Sequence, residues 1–148
     1  MYNITLEVAG QYRGLKTGPV AGWAWRLSCK MPDGTNYIKT DSGQLNPDVD
    51  RITDSAAALT ALYKGLQAIK TPCNLTVIYA HRAVNNVVPT IQRGFTKQAG
   101  GLGANAGLIM EIAPLLMKYN FTMKKVEHSG VQGYAYAACP DDKKKKED

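Results

Sequence analysis

Ile52, Leu59, Leu62, Tyr63, Leu66 and Ile69 recur at helical spacing over about five turns. Pro72 closes that pattern, and the apolar run NLTVIYA, residues 74–80, follows with the character of a buried strand. A long helix delivered straight into such a strand constrains the fold strongly. Antiparallel neighbours can be joined by a two-residue turn, whereas parallel ones need a crossover of a dozen or more residues, usually helical. The chain is therefore expected to build a mixed sheet with a crossover helix.

The segments on either side fit that frame. Apolar and polar residues alternate from Ile4 to Val8 within YNITLEVAGQY, which predicts a first strand, and RGLKTGPVAG (13–22) reads as a glycine-rich loop. GWAWRLSCK (22–30) and TNYIKTDSG (35–43) read as two strands of a hairpin turned at Pro32-Asp33-Gly34, and GQLNPDVD (43–50) as a loop. Residues 82–95 are expected to be helical, with Pro89 as a start or a kink, and KQAGGLGANAG (97–107) to be a flexible linker. Leu108, Ile109, Ile112, Leu115 and Leu116 form another helical stripe, bent at Pro114. FTMKKVEHSG (121–130) reads as a fifth strand entering a glycine turn, and VQGYAYAAC (131–139) as a short helix or loop. The expected class is α/β: a mixed five-stranded sheet, three antiparallel strands then parallel additions, flanked by helices. Residues 1–140 would form one domain, with 141–148 a disordered charged tail.

Composition narrows the function classes. The 148 residues carry a formal charge of +6. Lys143 to Lys146 add four positive charges and Glu147 and Asp148 remove two, so the rest of the chain holds +4. A basic body favours a polyanionic partner, because lysine and arginine contacts release counterions from phosphates. No apolar stretch approaches the roughly 20 residues that span a bilayer, and MYNITLEVAG lacks the pattern of a signal peptide. Cys29, Cys73 and Cys139 are odd in number and lack CxxC spacing. That predicts free thiols in a reducing, cytoplasmic setting and lends no support to zinc.

Five local patterns, in order, carry a resemblance. V-A-G-Q-Y-R-G (8–14) is similar to T-D-G-S-x-x-G, and K-T-G-P-V-A-G-W-A-W-R-L (16–27) to N-P-G-P-G-G-Y-G-x-x-L. R-I-T-D-S-A-A-A-L-T-A-L (51–62) follows R-x-E-x-x-A-A-x-x-A-L with one extra residue before the acid. Y-A-H-R-A-V (79–84) stands where T-D-S-x-Y-V is expected, and V-E-H-S-G (126–130) is V-x-G-H-x-G less one residue. Together they resemble the type 1 ribonuclease H family through nearly the whole chain. The resemblance implies an RNase H-like fold, an RNA–DNA hybrid as partner, and hydrolysis by two magnesium ions held by four carboxylates. Carried over, those carboxylates fall on Ala9, Asp54, Ala80 and Ala138, so one of the four survives. A methyl group cannot ligate magnesium. The resemblance thus implies a domain that keeps the fold while its catalysis is degenerate.

Each candidate residue also has a plainer reading. Asp54 is either a surviving ligand or a first-turn acid that complements the helix dipole, with Thr53 or Asp50 as cap. Glu7, on the same strand face as Ala9, is either a substitute metal ligand or a salt-bridged strand residue. A shifted site from Glu7, Asp54, Asp141 and Asp142 is a further alternative. His128 matches the family's histidine of product release or proton transfer, and otherwise sits in a glycine turn. Gly10, Gln11, Tyr12 and Gly14 lie where the family brings a hybrid's minor groove to the backbone, read through shape and 2′-hydroxyls. His81 and Arg82 beside Ala80 suit phosphate contact better than magnesium. Trp23 and Trp25 share a face and read as core. The family's basic protrusion is replaced by AGGLGANAG (99–107). Nucleic-acid binding leads, with an inactivated ribonuclease H, and an adaptor that meets a protein partner, as alternatives.

Overall fold

The computed structural model describes residues 1–93 and 105–139. The expected tail, most of the linker, Asp141 and Asp142 lie outside those residues. Strands β1 (Tyr2–Leu15), β2 (Gly18–Lys30) and β3 (Asn36–Gln44) come first, followed by helix α1 (Asp54–Ala68) and strand β4 (Cys73–Tyr79). A 3₁₀ turn at Arg82–Asn86 leads into α2 (Val87–Gln92), and then come α3 (Ala106–Leu116), β5 (Asn120–Lys125) and α4 (Gln132–Ala137). The strands form one five-stranded sheet in the order β3-β2-β1-β4-β5. The first three are antiparallel, and β4 and β5 add in parallel. The expected mixed sheet and crossover are both present.

One expectation is corrected. Residues 13–22 are not a loop: β1 runs to Leu15 and β2 starts at Gly18, so Lys16 and Thr17 are the two residues between the strands. Ladder bonds need only backbone groups, so pairing continues through glycines that spoil the side-chain alternation. Gly18, at φ 126°, supplies the left-handed residue of the turn. Pro19 is tolerated there because β3 stops opposite Gly22, leaving that end of β2 paired on one side.

Helix α1 starts where Thr53, in extended conformation, accepts the Ala56 N–H at 3.0 Å. The cap satisfies one of the orphan donors of the first turn, and Asp54 adds a favourable charge. Thr53→Ala is expected to destabilise the domain by about 1 kcal/mol, read as a lower urea midpoint with unchanged slope. The helix buries Ala57, Ala58, Leu59, Leu62 and Leu66 against Leu6, Val8, Leu75 and Val77 of the sheet. Helix α3 packs beside it on α2, burying Ile109, Ile112 and Leu116. Trp23 and Trp25 are buried in this core, as their spacing predicts. β4 is buried at every second residue, so it is half-buried rather than enclosed on both faces. The opposite sheet face is covered locally by α4 and the Val131 that caps it, and Val131 and Ala135 close a small cluster with Ala9 and Ala24. No helix among the described residues is long and apolar enough to cross a membrane.

Candidate functional site

β1 and β4 run parallel only as far as Glu7 opposite Ile78. Beyond that pair β1 continues in its hairpin with β2, while β4 ends at Tyr79 and the chain leaves as Ala80 and His81. Two neighbouring strands that part at their C-terminal ends open a crevice, the usual ligand position in sheets with helical crossovers. Here the crevice is a cleft of about 450 Å³ lined by Gly10, Gln11, Tyr12, Asp54, Ala80, His81 and Gln132.

Gly10 sets the cleft's geometry. A Cβ at this position would stand 2.7 Å from the Asp54 carbonyl oxygen and 2.8 Å from the Ala57 carbonyl carbon. Only glycine lets the first turn of α1 lie directly on β1, which brings Asp54 to the strand ends. The Asp54 carboxylate then accepts twice: Ser55 N–H donates to Oδ1 at 2.8 Å, and His81 Nε2 lies 3.2 Å from Oδ2. His81 Nδ1 accepts the Ala83 N–H at 3.1 Å, so the neutral ring carries its proton on Nε2 and donates it to Asp54. Below them, Gln132 Nε2 donates to the Gly10 carbonyl at 2.9 Å and to Gln11 Oε1 at 3.0 Å, and Gln11 donates to the Tyr12 carbonyl at 3.1 Å. The phenol of Tyr12 and the side chain of Arg82 face solvent. Gly14 is exposed two residues farther along β1.

The sequence-derived candidates do not all meet. Gly10, Gln11, Tyr12, Asp54, Ala80 and His81 converge on the cleft. Ala9 points to the opposite face and is 3 % exposed within the α4 cluster. Ala138 follows α4 and lies against Gly22. His128 is 88 % exposed in its side chain, with Glu127 3.9 Å away, and does not line the cleft. Glu7 is salt-bridged: Oε1 meets Arg26 Nη2 at 2.6 Å, and Oε2 accepts the Gly130 N–H at 3.0 Å. Both oxygens are thereby committed, one to β2 and the other to the turn before α4. Gln132 was not foreseen, because a lone glutamine in a short segment carries no periodic or motif signal. The stack of Arg13 over the Tyr136 ring, 4.5 Å from its centroid, was likewise invisible before folding. Behind the cleft, burial pushes the Cys139 thiol up, which leaves it a poor nucleophile.

No family model and no curated protein matches the chain. Solved structures do. LC9-RNase H1, described as a type 1 RNase H with the type 2 active-site motif, superposes with a TM-score of 0.68 at 14% identity, over 93% of this chain and 70% of that one. The fold is that of ribonuclease H. The N-terminal RNase H domain of Rv2228c from Mycobacterium tuberculosis, solved as a fusion with maltose-binding protein, agrees with a TM-score of 0.56 at 14% identity. That match covers 94% of this chain and 91% of the other. The ribonuclease H fold brings with it the expectation of divalent metal, and the donor set can be tested against it. The cleft offers one carboxylate, already accepting from an imidazole and a backbone N–H, together with two amides and a methyl group. Hard dications need several charged oxygens to offset their dehydration, and these residues do not fit a pair of them. Among the described residues, no three His, Cys, Asp or Glu side chains are gathered where they could hold a metal ion.

Proposed function

We propose that this chain is a nucleic-acid-binding domain that seats an RNA–DNA hybrid or structured RNA at the cleft without hydrolysing it. The supporting observation is the cleft's lining: hydrogen-bonding amides, backbone and a phenol surround a single carboxylate that His81 already occupies. Such groups suit ribose hydroxyls and sugar edges, which an A-form minor groove presents in a wide, shallow surface. Gln11 and Tyr12 would meet the groove, with the exposed Arg82 on a flanking phosphate. The net charge of +6 favours the encounter. Asp54 and His81 act as a hydrogen-bonded pair that holds the cleft wall, not as metal ligands or proton carriers.

Anisotropy of a fluorescently labelled hybrid tests this reading. Binding should weaken steeply with salt, and Arg82→Ala should lower the slope of log affinity against log salt by about one phosphate contact. In magnesium or manganese the hybrid should remain intact on a denaturing gel. Metal-dependent cleavage by the purified chain would overturn the proposal in favour of an active ribonuclease H. Absence of binding to hybrid, duplex RNA and single strands at low salt would favour an adaptor role instead.

A further inference from the structure

β3 is the outer strand of the sheet, and its edge carries no bulge, no proline and no covering element, only the charges of Lys39 and Asp41. Its nine residues pair continuously with β2, from Asn36 opposite Lys30 to Gln44 opposite Gly22, without a bulge or a proline. All are exposed except the half-buried Gly43, and they include the exposed apolar side chains of Tyr37 and Ile38. Native proteins usually shorten, kink or cover such an edge, because its outer N–H and C=O groups invite another strand. The Ser42 N–H donates to its own neighbour, Asp41 Oδ1, at 2.8 Å. By the alternation of an antiparallel ladder, the backbone groups of Ile38, Thr40 and Ser42 then point outward.

We propose that this edge pairs with β3 of a second copy, antiparallel and centred on Thr40, joining two sheets of five strands into one. The charge pattern selects both the occupant and the register. With Thr40 on the two-fold axis, Lys39 stands opposite the partner's Asp41, and Asp41 opposite the partner's Lys39. The two ion pairs lie on one face, and opposed charges and paired threonines both favour cross-strand association. Tyr37 stands opposite the partner's Gly43, over which the partner's own Trp23 indole lies, and Ile38 opposite the partner's Ser42. All nine residues are then paired. Moving the axis to Lys39 sets lysine against lysine, and moving it to Asp41 sets aspartate against aspartate. The Asp41 carboxylate gives up the Ser42 N–H to the incoming strand and takes the partner's Lys39 instead.

Sedimentation equilibrium of the full chain provides the test. The wild-type chain should approach twice its single-chain mass as its concentration rises. Lys39→Asp and Asp41→Lys each replace both attractions by repulsions and should weaken self-association by about tenfold or more. The two variants mixed in equal amounts should recover it, as should the double variant K39D/D41K. Both positions are exposed, so folding is expected to be unaffected and is checked by circular dichroism. Thr40→Cys should crosslink to itself on oxidation, whereas Ser42→Cys should not, the native cysteines being buried. A wild-type chain that stays single up to roughly millimolar concentration, with no crosslink from T40C, overturns the proposal. So does dimerisation that neither charge variant weakens.

Discussion

Gly10→Ala is expected to cost at least about 3 kcal/mol, the upper range of over-packing effects. The added methyl would meet backbone on three sides, namely the Ala58 nitrogen, the Asp54 carbonyl oxygen and the Ala57 carbonyl carbon. Flexible side chains can swing away from an intruding atom, but a helix backbone moves only as a body. To admit the methyl, α1 must lift from β1, loosening Leu59, Leu62 and Leu66 from the core they share with Leu6 and Val8. Urea denaturation followed by circular dichroism should show a much lower midpoint. Any folded fraction should also lose hybrid binding, because the same shift withdraws Asp54 and His81 from the cleft. Gly18→Ala offers a useful contrast. Nothing stands within reach of its added methyl, so its cost is confined to the strain of φ 126°. A Gly10→Ala variant as stable as the wild type would show that α1 does not lie on β1 as described.

Aspartates placed at Ala9 and Ala80 should have effects that differ sharply from one another. Ala9→Asp is expected to destabilise the fold by about 3–5 kcal/mol at neutral pH, the cost of a buried and uncompensated charge. Its neighbours are Ala24, Val131 and Ala135, all fully buried and none able to hydrogen-bond through a side chain. The new carboxyl would resist ionisation, so its folded pKa would lie above the unfolded one. The penalty is therefore complete above that raised pKa and fades as pH falls towards the unfolded value. Ala80→Asp, half-exposed on the cleft wall, should change stability by no more than about 0.5 kcal/mol. It would set a second carboxylate in the same cleft as Asp54. Thermal melts at two pH values separate the cases. If Ala9→Asp melts with the wild type at neutral pH, the cluster beneath the cleft is wet rather than dry.

Much of the architecture was legible before folding. The stripe from Ile52 to Ile69, broken before Pro72, locates α1 and makes NLTVIYA its successor strand. Its cap is Thr53 or Asp50 by sequence, and the structure settles it on Thr53. The fifth strand follows from a weaker pattern, whereas residues 131–139 read as a short helix or a loop. The failure at residues 13–22 has a definite cause. Strand reading relies on alternating side chains, whereas the β1–β2 hairpin is held there by backbone pairing that glycines do not interrupt. The site was legible only in part. Motif order drew attention to Gly10, Gln11, Tyr12, Asp54, Ala80 and His81, which share one cleft. It also drew in Ala9, Ala138 and His128, which do not.

The amino-acid sequence by itself determined the element order, the mixed sheet, the capped crossover helix and the poverty of carboxylates at the strand ends. Periodicity and turn chemistry act within a few residues, so they can be read without knowing what lies across the fold. Tertiary structure alone decided that His81 occupies Asp54, that Gln132 bridges Gly10 and Gln11, and that Glu7 is committed to Arg26 and Gly130. Those contacts join residues from separate elements, up to 123 positions apart. A periodic pattern tells which side of its own element a residue takes, but the group it meets there is settled by how strands and helices pack.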